Sequence, residues 1–494
     1  MQNAKTLSDF IRVSAEIYPD KTALIYENEE FSYQKIKESV DAVGSFFVQH
    51  TKKGDVIAVL LPNSPEFIFT YFGILKAGCI ALLLPPNISD KSLQFQIEKT
   101  DPEYIVSQET FQNKIQRTPN ASTIPLLEPE KLFLTEEVAN REVTEDDIST
   151  IIFTSGTTSA PKGVTLRHRN VVNATKNIIE FLKWDNHTID LNISPLSHSF
   201  GLGHIHSVFA VGGTTVLFRD AINLKKIINT IREKNVTTFG AVPAILRLLT
   251  THFLKEFIKH GSNLKCIHTN TSLLEPKLIN ALLTHFPQTD FSYYYGLSEA
   301  SRSTFITFNK HPDKLKSVGS ATPNVLVEIH DKEDNTVQSP QIGEICIKGE
   351  HVIDSYWKNP DASKRIRNGW LHTGDMGYLD KDGFLFFQGR KDDIINVSGE
   401  KVSPEEVEMY ARTFKGVSAA AAIGNPDKFL GEVVKLFIVV EDQSFNTNDL
   451  MKYLRGKLEN YKVPRSIEII NEIPKTENGK LIRSKLKNTY KQYD

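Results

Sequence analysis

The chain has 494 residues, with 58 basic and 60 acidic side chains and a formal charge of −2. Such near-balance argues against a protein that coats a polyanion, whose affinity comes from clustered lysines and arginines, so no nucleic-acid partner is expected. At about 150 residues per domain, a globular mixture of 40% hydrophobic and 24% charged residues divides into about three domains or subdomains. Cys79, Cys266 and Cys346 are too scattered along the chain for a disulfide framework or a zinc knuckle.

The opening residues lack a basic start followed by an apolar core, so no secretory signal is expected. SYQKIKESVDAVGSFFVQ then repeats apolar residues at helical spacing. The most apolar stretch, 56–86, is broken by Pro62, Pro65, Glu66 and Lys76. It never reaches the roughly 20 consecutive apolar residues of a spanning helix. It reads instead as strand Val56–Leu61, helix Pro65–Ala77 and strand Cys79–Leu84. The expectation is a cytoplasmic protein with no integral membrane segment. The stretch 111–147, rich in Thr, Glu and Pro, is the weakest in structural signal.

A second alternation of strand and helix covers about 188–285: LNISPL, a helix around His204–Val211, TTVLF, LKKIINTIREKN, TTFGAV and one helix over AILRLLTTHFLKEFI. From about 315 to 390 the helical signal gives way to strands such as VLVEIHD, GEICIKG and FLFFQGR, joined by Gly- and Asp-rich turns. Beyond Arg390 the character changes again, with helices EEVEMYARTF and NDLMKYLRGKLE and strands AAAAIG and VKLFIVV. The fold class is therefore α/β. A large composite N-terminal domain, 1–390, holds two α/β subdomains and a β-rich subdomain. A small α+β domain, 391–494, follows.

The strongest local signal is IIFTSGTTSAPKGV (151–164), a strand running into small hydroxylated residues, a proline and a lysine. Backbone N–H groups, hydroxyls and Lys162 make a cradle for phosphate. A Walker loop fails twice, because counting from Gly156 its second glycine falls on Pro161 and its Ser/Thr on Gly163. In YYYGLSEA (293–300), Tyr295 before Gly296 suits a stacked purine, Ser298 offers a hydroxyl to phosphate, and Glu299 offers a hard oxygen to Mg²⁺. Asp375 in LHTGD can accept ribose hydroxyls, and Arg390 presents a fork of donors. An ordinary Asp–Arg pair is the plain alternative for these two. Asn478-Gly479 is a hairpin signal that would project Lys480 from a turn.

These segments, with FQGRKDDIINVSGEKVSPEEVE (387–408) and PKTENGKLIRSKL (474–486), occur in one order across nearly the whole chain. Together they resemble the adenylate-forming superfamily of acyl-CoA synthetases, peptide-synthetase adenylation domains and firefly-type luciferases. The resemblance implies a mobile C-terminal domain and ATP-dependent activation of a carboxylate, followed by transfer to a thiol. It assigns Thr154, Ser155, Gly156, Thr157, Thr158 and Lys162 to the phosphates, Tyr295 and Gly296 to adenine, Ser298 to the α-phosphate and Glu299 to Mg²⁺. Asp375 and Arg390 fall to the nucleotide, Asp392 to the hinge, Gly399 to the pantetheine passage and Lys480 to catalysis, with His198 beside the reacting carboxylate. The implied reactants are ATP, Mg²⁺, a small carboxylic acid, and CoA or the phosphopantetheine of an acyl carrier protein. A non-catalytic nucleotide-binding relative is the alternative of a different class.

Two departures stand out. Ser159 replaces the glycine of the family's TTGxPKG, and TNTSL, Thr269 to Leu273, replaces a GGAP-like turn that lines the adenine and acyl sites. His204 and His206 are candidates for either substrate contact or helix packing. A zinc site from these histidines is not expected, since no carboxylate or cysteine stands at close spacing. Amino-acid-activating relatives carry an Asp early in the segment that reads PLSHSFGLGHIH here (195–206); none occurs over 197–203, so a simple carboxylic acid is expected. Arg302 suits either a second carboxylate or phosphate, or a structural ion pair.

Overall fold

The structure, a computed structural model, describes residues 4–133, 139–154, 161–270, 274–398, 400–427, 429–442, 445–475 and 481–490. Its contacts divide the chain into two units. One comprises 1–154, 162–326 and 347–371, and the other 155–161, 327–346 and 372–494.

The first unit holds the two α/β layers that the alternating sequence indicates. In a six-stranded sheet, Leu126–Leu127, Tyr104–Ser107, Val56–Leu60, Ile80–Leu83 and Ile148–Thr154 run parallel, and Lys162–Arg167 turns back antiparallel on its neighbour. VIAVL is buried at every position, as expected of a central parallel strand covered on both faces. A second sheet sets Asp290–Leu297 beside Cys266–Thr269, Thr238–Gly240, Ile189–Asn192, Thr214–Leu217 and Thr22–Tyr26 in parallel. Ala300–Thr307 and Glu29–Ser32 close its flanks antiparallel.

The apolar stretch 56–86 forms a strand, a helix and a strand, not a span. Ser64 caps the helix Pro65–Lys76 by accepting from Phe67 N, and Pro65 at its start needs no N–H partner. This helix packs on Tyr33–His50 where Gly73 meets Val43: a Cβ at 73 would lie 2.4 Å from Val43 Cγ1. The missing side chain is what lets the two helices touch. No helix among the described residues is long and apolar enough to cross a membrane.

Three local expectations need correction. AILRLLTTHFLKEFI is two helices, Pro243–His252 and Leu254–His260, because Phe253 leaves the helical region at φ −127°. The helix expected around His204 begins earlier, at Ser199. LHTGD, whose HTGD reads in sequence as a strand ending in a turn at Asp375, lies instead in the interior of the strand Trp370–Leu379. The weak stretch after 111 contains short helices, Gln112–Arg117 and Pro129–Leu132.

Leu326–His330, Gly343–Lys348, Trp370–Leu379 and Phe384–Arg390, each with most of its residues in the second unit, lie side by side in that order. A five-stranded sheet places Gly431–Val440 between Val417–Asp427 and Ile395–Val397, with Ser466–Ile469 pairing parallel to it. Helices Pro404–Arg412 and Thr447–Arg455 bury Val407, Ala411, Leu450 and Leu454 in the core of this sheet.

The Gly73 contact makes a prediction about stability. Gly73→Ala overpacks the helix crossing and costs about 1–3 kcal/mol, lowering the thermal midpoint, and adding Val43→Ala recovers part of the loss. Equal midpoints for the single and double variants contradict the contact.

Candidate active site

Strands Asp290–Leu297 and Ala300–Thr307 pair with Leu297 opposite Ala300, so Ser298 and Glu299 form the turn between them. Gly296 is required by close approach: a Cβ there would meet Arg302 N at 2.5 Å and Ala300 O at 2.7 Å. Tyr295 is buried and opposite Thr304, and Ser298 is half-buried. Glu299 is turned inward, only 6% exposed, and its Oε1 accepts a 2.7 Å hydrogen bond from Tyr356 Oη.

The segment that carries Tyr356 ties two hairpins together. Ile353 N donates to Glu299 O at 3.0 Å, and Trp357 N donates to Gly163 O at 2.8 Å. Val164 bridges to Tyr356 antiparallel. Lys162, opposite Thr154 on the other hairpin, places its Nζ 5.9 Å from the centroid of the Tyr356 ring, within cation–π range. The lysine of the phosphate motif and the carboxylate of the metal motif thus meet on one tyrosine. Ser155, Gly156, Thr157, Thr158, Ser159, Thr271–Leu273, Gly399 and Lys480 lie outside the described residues.

His198 caps the helix Ser199–Val211, its carbonyl accepting from Leu202 N at 3.0 Å. His206 packs among Phe10, Tyr71 and Phe72, and burial lowers its pKa to about 3, so it is a core histidine. His204 differs. Its Nδ1 lies 2.8 Å from Asp190 Oδ2, and its ring stacks on His268 at 4.7 Å. Asp190, His204 and His268 bring one ligand-type atom each to within 4.8 Å of one another, a neighbourhood that sequence spacing does not reveal. Contrary to the sequence expectation, a carboxylate does stand beside His204.

In the second unit, Asp375 and Arg390 face each other across paired strands, with Nε 2.9 Å from Oδ1. Asp375 is buried, and Arg390 Nη1 also donates to Thr373 O at 3.1 Å. Nearby, Glu344 accepts from Gly374 N and from Lys391 Nζ, both at 2.9 Å. Burial pushes Glu344 up, but the Lys391 ammonium and the Gly374 N–H outweigh it and hold its pKa below the ordinary value. Asp392 is exposed in the turn after Arg390, whereas Asp393 is buried.

Asp393 belongs to a cluster that the sequence reading passed over. Arg483 Nη1 pairs with Asp393 at 3.0 Å, and Nη2 with Glu405 at 2.9 Å and Glu408 at 2.8 Å. Burial, with the Glu405 charge beside it, raises the Glu408 pKa even though Arg483 opposes the shift. Tyr356 was missed as well. Its signal, an aromatic in SYWKNP, is no stronger than other buried tyrosines until the fold sets it beside Glu299.

Residues 11–357 match the AMP-binding enzyme family, and 406–480 match the AMP-binding enzyme C-terminal domain. The chain belongs to this family of adenylate-forming enzymes. A long-chain-fatty-acid–CoA ligase of Bacillus subtilis is 28% identical over 98% of this chain and 94% of that enzyme. The solved o-succinylbenzoate CoA synthetase of Bacillus subtilis, in complex with its acyl-adenylate intermediate, superposes with a TM-score of 0.88 at 26% identity, covering 97% of both chains. The same synthetase in complex with ATP and magnesium ion gives 0.88 at 25% identity, covering 97% of this chain and 99% of that one. The fold is that of the family, a large N-terminal and a small C-terminal domain.

The Arg483 cluster generates a pH-dependent prediction. Arg483→Met leaves three clustered carboxylates with only Arg412, 3.8 Å from Glu408, as a paired cation, at a cost of about 3–5 kcal/mol at neutral pH. Carboxyl groups pushed up in the folded state bind protons more tightly than in the unfolded chain. The cost therefore grows as pH rises above the ordinary carboxylate pKa and shrinks below it. Thermal melts at pH 5 and pH 8 check this, and a deficit larger at pH 5 contradicts it.

Proposed function

We propose that the protein joins a carboxylic acid to CoA in two half-reactions. In the first, a carboxylate oxygen attacks the α-phosphorus of ATP, the bond to pyrophosphate breaks, and an acyl-adenylate forms. In the second, the CoA thiolate attacks the acyl carbon, the bond to AMP breaks, and the thiol proton passes to solvent. The observation that carries this reading is the meeting of Lys162 and Glu299 on Tyr356, in a chain of the AMP-binding enzyme family.

Each residue's part follows from its chemistry. Lys162 offers positive charge to the phosphates, joined by Thr154 and the small residues Ser155, Gly156, Thr157 and Thr158. Tyr295 and Gly296 shape the adenine face, and Ser298 donates its hydroxyl to the α-phosphate. Glu299 fits Mg²⁺: it is a carboxylate turned inward whose Oε1 is steadied by a tyrosine hydroxyl, and a hard oxygen suits that ion. When bound, Mg²⁺ neutralises phosphate charge. Asp375 accepts from the ribose, with Arg390 orienting the carboxylate. His198 stands beside the reacting carboxylate.

Lys480 bridges the carboxylate and α-phosphate oxygens as charge develops in the displacement. Asp392, next to the domain boundary at 390/391, is the hinge about which the small domain exchanges Lys480 for the face bearing Gly399. The bare backbone of Gly399 leaves room for the pantetheine arm. The proposed setting of the reaction is the cytoplasm.

Acid-dependent exchange of pyrophosphate into ATP tests the first half-reaction, and thioester formation tests the second. Lys480→Ala lowers exchange by about 10²–10³-fold, the scale of losing one group that stabilises transition-state charge. Gly399→Leu keeps exchange and loses thioester formation. Exchange with no acid, or acyl transfer to a carrier protein but not to CoA, overturns the proposal.

A further inference from the structure

Three side chains with metal-ligating atoms come together within the second unit: His330, Cys346 and His372. Each brings one such atom to within 4.8 Å of the other two, and all three are buried. They lie on the neighbouring strands Leu326–His330, Gly343–Lys348 and Trp370–Leu379, with the cysteine's strand in the middle. No two are close in sequence, so the scatter that excludes a zinc knuckle does not exclude a site assembled by the sheet. Among the described residues, Cys346 is the only cysteine in such a group.

The side chains converge. Neighbouring strands lie about 4.8 Å apart, so residues two strands apart are separated by about 10 Å at the backbone. The rings of His330 and His372 nevertheless have centroids 5.7 Å apart. Cys346 Sγ is 3.4 Å from His372 Nδ1. With bonds of about 2.3 Å to sulfur and about 2.0–2.1 Å to nitrogen, tetrahedral Zn²⁺ holds such a pair of donors roughly 3.5 Å apart. The pair already has the spacing the ion needs. Strand neighbours Ile329, Ile345, Ile347 and Leu371 are buried apolar residues, so the group is a polar island in apolar strands.

The surroundings also suit a metal ion. His330 Nε2 lies 2.9 Å from Glu328 Oε2, which accepts from Thr336 Oγ1 at 2.8 Å. An ionised carboxylate only accepts, so His330 donates through Nε2 and the neutral ring carries its lone pair on Nδ1. A histidine oriented in this way by a carboxylate is the usual arrangement around a bound metal. A fourth donor stands at the rim: Asp334 Oδ1 is 3.8 Å from His372 Nδ1. His330 bridges to Thr336 antiparallel, so Asp334 sits in the turn that joins them. Its side chain is 45% exposed where the other three are buried, which gives an ion a way in. Glu344, 3.9 Å from the same nitrogen, is held by Lys391 Nζ and Gly374 N.

We propose that His330, Cys346, His372 and Asp334 bind one Zn²⁺ ion. Thiolate and imidazole ligands suit a borderline-soft ion and not Mg²⁺ or Ca²⁺, so the site differs in chemistry from the carboxylate at Glu299. On binding, the Cys346 thiol gives its proton to solvent. The thiolate and the Asp334 carboxylate then balance the two charges of the ion. Four protein ligands close the coordination, the mark of a structural site and not of a catalytic one. The ion pins the strand Trp370–Leu379, which carries Asp375 three positions after His372, to the two strands beyond it.

Cobalt substitution tests this on the full wild-type chain, with a readout independent of activity. Metal-free protein titrated with Co²⁺ should develop a thiolate-to-cobalt charge-transfer band and the intense visible bands of a tetrahedral ion, saturating at one equivalent. One equivalent of Zn²⁺ should remove both. Because Cys79, Cys266 and Cys346 are all buried, surface histidines do not produce the thiolate band. Cys346→Ala should lose that band and weaken Zn²⁺ binding, read by competition with a chromophoric chelator, by more than about 100-fold. Glu328→Gln should keep the band and weaken binding by about 10–100-fold, the scale of losing a group that orients a ligand. Zn²⁺ should raise the thermal midpoint of the wild type and leave that of Cys346→Ala unchanged. A wild-type chain that gives no thiolate band overturns the proposal, and so does a band that survives Cys346→Ala.

Discussion

The hydrogen bond from Tyr356 to Glu299 ties together the segments of the first unit that carry the candidate site. A carboxylate that is only 6% exposed needs a donor, and the hydroxyl at 2.7 Å supplies one. The same segment is bonded to Glu299 O through Ile353 and to Gly163 O through Trp357. The turn at 298–299 and the strand that begins at Lys162 are therefore fixed to one piece of backbone. Lys162 and Glu299 come from sequence segments well over a hundred residues apart, yet they share one aromatic ring. Whatever shifts Tyr356 shifts both.

Buried charge is handled in two ways in this protein. Arg483 is surrounded by Asp393, Glu405 and Glu408, so its charge is compensated within the protein. Arg302 is surrounded by carbonyl oxygens, a hydroxyl and aromatic rings, with no carboxylate pairing to it among the described residues.

Much of this was legible in the sequence because the motifs are local. YYYGLSEA occupies a single hairpin and IIFTSGTTSAPKGV begins and ends on two strands that pair antiparallel, so a run of residue types is enough to point to the family. Fold class was legible for the same reason: fully apolar strands alternating with helices dictate parallel sheets. What stayed hidden depends on contacts between distant segments. Nothing near His204 in sequence announces Asp190 or His268, and nothing in SYWKNP announces that Tyr356 meets Glu299. Arg302 was equivocal, because only the fold decides whether a carboxylate stands opposite. The single helix expected over 244–258 broke at Phe253, whose backbone departure carries no glycine or proline as a warning.

The central claim is that Tyr356 acts on the reaction by holding Glu299 for the Mg²⁺–ATP complex. A double-mutant cycle of Tyr356→Phe and Glu299→Gln, read as the Mg²⁺ concentration that half-saturates pyrophosphate exchange, tests it most directly. Loss of a group that orients a metal ligand typically weakens metal affinity by about 10–100-fold, so Tyr356→Phe should raise that concentration within this range. In the Glu299→Gln background the same substitution should have little further effect. Equal effects of Tyr356→Phe in both backgrounds would contradict the account.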